Sequence, residues 1–339
     1  MTSVLSPVAC AALLASATLV AQQIDIGPAP GRLIDVGGRR LHLNCTGPSE
    51  TPGRSERTGS TVILEAGASS FAIDWSLVQP EIARTSRVCS YDRAGSGWSD
   101  PRPNVETPPR IVADLHTALG AAGEEPPYVM VGASAGGVYV RTYQLEYPSE
   151  VVAMVLVDPS TENRLFTMYQ QRGVLIASLT AEQLLSTLPT TAVPLPSRAP
   201  QTGPPFDKLP PDLYQLRIKI DQRLIASMPA SVPAEVVREA SEGQRAALAR
   251  LLESRTREDN PMKTVPVIVL SRGQDATQGL AENHAGLARL STNSRHEVIA
   301  TAGHEIHLFT PSAVVRAIQD VAAAARARQP LRTKDQVPR

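Results

Sequence analysis

The chain has 339 residues, 42% of them apolar, and balances 33 basic against 33 acidic side chains for a formal charge of zero. That length supplies a sizeable core, and it fits about two domains or one α/β domain with an insertion. With no basic excess and no basic stripe, the composition argues against nucleic acid as a partner.

In chain order, residues 1–23 come first, with an apolar, small-residue run from Val8 to Ala21. The run is too short and alanine-rich for a membrane span. It resembles a secretory signal with cleavage after Ala17 or Ala21, although no Lys or Arg precedes Arg32. A cleaved signal and an uncleaved N-terminal anchor are both open, and either implies export to the periplasm or beyond. Strands are expected near 32–36, 39–45, 61–66, 86–91, 127–133, 151–157, 265–270 and 295–300. Helices are expected near 74–84, 108–122, 135–147, 278–291 and 311–327. Strands alternating with helices require a mostly parallel sheet. Residues 48–60 read as a surface loop, and 328–339 as a charged, frayed tail. Between Asp158 and Val265 no strand appears where the sheet would need one. Helical patterns occupy Ala181 to Leu188 and Pro233 to Arg255, separated by a proline-dense, irregular stretch from 189 to 211.

The chemistry concentrates at Gly132-Ala133-Ser134-Ala135-Gly136-Gly137, directly after the apolar run Tyr128 to Val131. A Gly-x-Ser-x-Gly sequence leaving a strand and entering a helix is a nucleophile elbow, which holds the serine hydroxyl above the sheet at a helix N-terminus. A nucleophilic serine needs a base and an orienting acid. His304 follows the last expected strand on a loop, and Gly303 lets the chain turn its ring toward Ser134; His307 is the rival. His42, His116, His284 and His296 have no such setting and read as surface or packing residues. The acid is Asp275, just beyond the strand Pro266 to Leu270, or Asp158, at the end of Val151 to Val157. The first is preferred, and the second stays open.

These segments together resemble an α/β-hydrolase-fold serine hydrolase of the bacterial esterase-like branch, from about Gly31 to about Ala325. Val62 to Ala68 resembles the strand and His-Gly turn of that family, with Ala66 where the histidine usually stands. Ser90-Tyr91-Asp92-Arg93-Ala94-Gly95-Ser96-Gly97-Trp98-Ser99 resembles its Tyr-Asp-x-x-Gly-x-Gly-x-Ser loop. The resemblance implies an eight-stranded, mostly parallel sheet with helices on both faces. It also implies a core of 24–158 and 265–327, and a helical cap inserted at 159–264. Phe166, Met168, Tyr169, Phe206 and Tyr214 are candidate pocket walls there.

It further implies an acyl-enzyme on Ser134, an oxyanion held by the backbone N–H groups of Ala68 and Ala135, and no metal or organic cofactor. The sequence itself carries no HExxH, zinc-spaced cysteine pair or P-loop. The implied substrate is a small ester-like molecule. Amide, lactone and carbon–carbon hydrolysis or perhydrolysis on the same triad, or a non-catalytic ligand-binding role, are the alternatives. In that family's strand order the strands of Cys45 and Cys89 are neighbours, so the two are bridged or are two small buried thiols.

Overall fold

A computed structural model describes residues 24–48, 59–102, 104–162, 180–260, 262–276 and 279–331. The segment 1–23, most of the loop 48–60, the candidate wall residues Phe166, Met168 and Tyr169, and the tail from 332 lie outside the described residues.

The strands are β1 (Arg32–Asp35), β2 (Arg40–Thr46), β3 (Thr61–Glu65), β4 (Val88–Tyr91), β5 (Tyr128–Ala133), β6 (Val151–Val157), β7 (Val193–Pro194), β8 (Ser231–Val232), β9 (Val267–Arg272) and β10 (Ser294–Ile299). Eight of them form one sheet in the order β1-β2-β4-β3-β5-β6-β9-β10, while β7 and β8 pair separately. Only the β1–β2 and β2–β4 pairs of the large sheet are antiparallel. The helices are α1 (Gln79–Ala83), α2 (Pro108–Ala122), α3 (Gly136–Glu146), α4 (Ala181–Thr187), α5 (Pro211–Ser227), α6 (Ala234–Ser254), α7 (Leu280–Ala288), α8 (Ile306–Phe309) and α9 (Pro311–Ala327).

The strands are apolar on both faces because helices cover both. Along β5, Met130 packs with α2 and α3 through Leu115, Leu119 and Tyr143. Its neighbours Val129 and Val131 point the other way, onto Val78, Ile82 and the α9 residues Val314, Ile318 and Val321. The parallel strands all end at the same edge of the sheet. Loops from β3, β5 and β6 meet there.

The helix expected over 74–84 is split. A 3-10 turn at Ala72–Trp75 precedes α1, and Pro80 sits in the first turn of α1. Proline has no N–H to give and fits a first helical turn better than a helix interior. Helix α5 was not anticipated. Its Leu213, Leu216, Ile220 and Leu224 recur at helical spacing and pack on Phe71 and Trp98.

Between β6 and β9 the chain is anchored at three places. Leu184, Leu188, Leu248 and Leu251 pack on Val138 of α3. Glu162 accepts from the buried Arg141 and, at 2.5 Å, from Arg255. Arg217 Nε donates to Asp74 Oδ1 at 2.6 Å, with its guanidinium 3.6 Å from the Phe206 ring centre. Both partners are buried, so Arg217→Met leaves an uncompensated carboxylate. Breaking such a pair costs about 3–5 kcal/mol. Urea denaturation of this variant should show a loss of that size; a loss below about 1 kcal/mol would mean that the pair does not anchor α5.

Cys45 and Cys89 stand opposite each other in the β2–β4 pair and are joined by a disulfide across 44 residues of sequence. Closing a loop of that length restricts the unfolded chain. The double replacement Cys45→Ser/Cys89→Ser should therefore cost about 2–4 kcal/mol in the same assay. Wild type in reductant should match it.

Candidate active site

The turn after β5 is built by glycine. A Cβ on Gly132 would lie 2.5 Å from the Gly136 carbonyl oxygen, and one on Gly136 would lie 2.6 Å from the Glu65 carbonyl oxygen. A Cβ on Gly137 would meet Pro159 at 2.5 Å. Strand and helix close on each other only without these side chains. Ser134 between them has φ +51°, a left-handed conformation rare for serine. The strain is held by Ser134 N–H donating to Val157 O at 3.0 Å, and by Ser160 and Gly137 N–H donating to Ser134 O.

Ser134 Oγ lies 3.0 Å from His304 Nε2, and His304 Nδ1 lies 2.5 Å from Asp158 Oδ2. Asp158 closes β6 with φ +41° and is buried. Burial pushes its carboxyl pKa up. The His304 hydrogen bond, the Arg272 N–H and the Arg272 charge outweigh that and hold it below the usual carboxylate range. As a carboxylate, Asp158 can only accept. The proton therefore sits on His304 Nδ1, and Nε2 is left to accept the Ser134 hydroxyl proton.

The acid beside His304 is thus Asp158, which corrects the preference for Asp275. Asp275 is exposed in the turn after β9, at φ +50°. The strands are adjacent, with Val157 paired to Leu270, so both deliver an aspartate toward the same edge. The turn after β9 decides between them. Gly273 N–H donates to Ile299 O at 3.0 Å and Gln274 N–H donates to Ala302 O at 3.0 Å. A Cβ on Gly273 would meet Ala300 Cα at 2.5 Å. Gly273 thus serves the packing of this turn onto the His304 loop, and Asp275 is left pointing to solvent.

Ala135 caps the N-terminus of α3, and Gly67, just before Ala68, comes close enough to Ser134 that a Cβ on it would stand 3.2 Å from the serine Cβ. Among the described residues, neither the Ala68 nor the Ala135 N–H has an acceptor. The loop before Ala68 is braced by Arg93, which donates to Ala66 O at 2.8 Å, Gly67 O at 2.6 Å and Glu65 Oε1 at 2.6 Å. In the same motif Asp92 accepts from Ala72 N–H, and a Cβ on Gly97 would fall 2.1 Å from the Asp92 carboxylate. Glycine is therefore required at 97.

The remaining histidines are mostly not surface residues. His307, the rival base, packs on Trp75 at 4.7 Å between ring centres, and burial pushes its pKa down to about 3. His42 is buried against Asp92 at 2.7 Å. His116 stacks on Tyr147. His284 lies behind Asp158: its Nε2–H donates to Pro159 O at 2.9 Å, and its Nδ1 accepts from Ser271, which in turn accepts from His296. Burial lowers the pKa of both His284 and His296. Arg93 could have been found from the loop motif. No local pattern marks His284 or Arg272.

Residues 62–311 match the family model for the alpha/beta hydrolase fold. The chain belongs to this family. Among curated proteins, 134 residues are 34% identical to "Probable transporter efuK" of Hormonema carpetanum, covering 38% of this chain and 18% of that one. Over 110 residues the chain is 31% identical to the uncharacterized protein YqjL of Bacillus subtilis, covering 32% of this chain and 44% of that one. The chain thus spans less than half the length of these curated relatives. Among solved structures, a thermophilic esterase of Thermogutta terrifontis superposes with a TM-score of 0.57 at 21% identity, covering 87% of this chain and 97% of that one. The enol-lactonase of Burkholderia xenovorans LB400 superposes with a TM-score of 0.58 at 18% identity, covering 86% and 100%. At these identities the structures show the α/β hydrolase fold alone. Among the described residues, no helix is long and apolar enough to cross a membrane.

Proposed function

We propose that this α/β hydrolase family member is a serine hydrolase that cleaves carboxylic esters through an acyl-enzyme on Ser134. The hydrogen-bonded line from Ser134 Oγ through His304 to Asp158 carries the reading. His304 Nε2 takes the hydroxyl proton as Ser134 Oγ attacks the ester carbon. Asp158 stabilises the imidazolium that forms and keeps the ring in the productive tautomer. The Ala68 and Ala135 N–H groups receive the oxyanion, and Arg93 keeps the preceding carbonyls turned away from it. His304 returns its proton to the leaving alcohol, then activates water to release the acid.

Lactones are the second reading, since a lactone is a cyclic ester and one superposing structure is described as an enol-lactonase. The helices between β6 and β9 act in this reading as a cap that shapes the substrate pocket. The Cys45–Cys89 bridge supports an exported setting, because such bonds persist outside the reducing cytoplasm.

The test is hydrolysis of p-nitrophenyl esters from acetate to decanoate, beside simple lactones and anilides, by the full chain. Turnover of the esters supports the reading, and the chain-length optimum sizes the pocket. Turnover of anilides or lactones alone moves the substrate class. No turnover by folded protein contradicts it.

A further inference from the structure

A cavity of about 480 Å³ opens between α1 and the turn before it, β2 and α5. Pockets of roughly 300–1,000 Å³ are the size that buries a small-molecule ligand. Neither Ser134, Asp158 nor His304 lines it. The turn Ala72–Trp75 divides it from the site: Ala72 and Ile73 face the cavity, whereas Trp75 packs on His307 at 4.7 Å.

Its wall is apolar, with Ile73, Pro80, Ala83, Trp98, Leu213 and Leu216. Most polar groups in the wall are already occupied. His42 is held by Asp92 and Pro30 O, and Gln79 Nε2 donates to Asn44 O at 2.9 Å and Thr46 Oγ1 at 3.1 Å. One charged group remains for a ligand. Arg84 stands at the mouth with its side chain 73% exposed, and its ion-pair partner among the described residues is the solvent-facing Glu81 at 3.1 Å. Two of the cavity's apolar side chains are buried, Trp98 at 8% and Ile73 at 9% exposure. An apolar wall with Arg84 as its one cationic residue among the described residues is complementary to an amphiphile with one anionic end.

We infer that this cavity is an accessory site for a fatty acid, with the acyl chain between α1 and α5 and the carboxylate at Arg84. It is independent of the triad and of the reaction proposed there.

The chain contains two tryptophans, and Trp98 lines the cavity, so contact quenching by a brominated chain reads occupancy directly. The full chain is titrated with 11-bromoundecanoate and, for comparison, 11-bromo-1-undecanol. Saturable quenching is expected, with the acid binding about tenfold tighter than the alcohol, as an added charge-assisted contact allows. Arg84→Glu, on the surface, should remove that preference. Trp98→Phe should remove most of the quenching. Ala83→Leu with Leu216→Phe fills the cavity and should abolish binding while the circular dichroism spectrum stays native. Quenching that survives the filled cavity, or that is equal for acid and alcohol in wild type, overturns the assignment. So does the absence of saturation in wild type. No readout depends on ester turnover, so the proposed reaction can fail while this site stands, and the reverse.

Discussion

Asp158→Asn should lower kcat/KM on a p-nitrophenyl ester by about 10⁴, while Asp275→Asn should stay within about twofold of wild type. The first effect follows from how the two oxygens of Asp158 are used. Oδ1 accepts the Arg272 N–H at 3.0 Å, and Oδ2 accepts from His304 at 2.5 Å. In the asparagine variant the amide oxygen keeps the Arg272 bond, because that partner can only donate. The amide nitrogen then faces His304 Nδ1 and donates to it. The ring must carry its proton on Nε2, where it can no longer accept from Ser134. The shape of the site survives and its proton inventory is inverted. Asp275 is exposed, and His304 has no ring nitrogen left for it. Equal losses in the two variants, or a large loss only at 275, would return the acid to the β9 turn.

Ser134→Ala should cost more, on the order of 10⁶ in kcat, because it removes the bond-forming atom and not only its activation. The alanine side chain fits the same turn without a clash, so the folded state should persist with the same thermal midpoint. Adding Asp158→Asn to Ser134→Ala should then cost almost nothing further. The acid acts only through the histidine, and each step the histidine serves belongs to the path that begins with attack by Ser134, so the effects do not add. A double variant markedly slower than the single one would mean that Asp158 serves some other step.

The elbow was legible in the sequence because its glycines and serine fall within one short run, at fixed spacing. Gly132 and Gly136 stand where backbone comes within 2.6 Å of where a Cβ would be, and the apolar run Tyr128 to Val131 marks the strand that feeds the turn. His304 was legible too, as a histidine on the loop after the last strand. The acid was not. Two aspartates follow two adjacent parallel strands, and the choice between them rests on where the amides of Gly273 and Gln274 bond, to Ile299 and Ala302. Those partners are 26 and 28 residues away in the chain, beyond any local pattern. Helix α5 was hidden differently: its Leu213, Leu216, Ile220 and Leu224 have helical spacing, but the prolines before it dominated the reading. Arg217, which fixes that helix to Asp74, and His284, behind Asp158, gain their roles only from tertiary contacts.

The most direct measurement is covalent labelling of the full chain with a fluorophosphonate, followed by peptide mass mapping. A serine activated by His304 should give one adduct, on the peptide containing Ser134. It should be absent in Ser134→Ala, strongly slowed in Asp158→Asn and unchanged in Asp275→Asn. A folded protein that takes no label, or takes it on another residue, would contradict Ser134 as the nucleophile of this site.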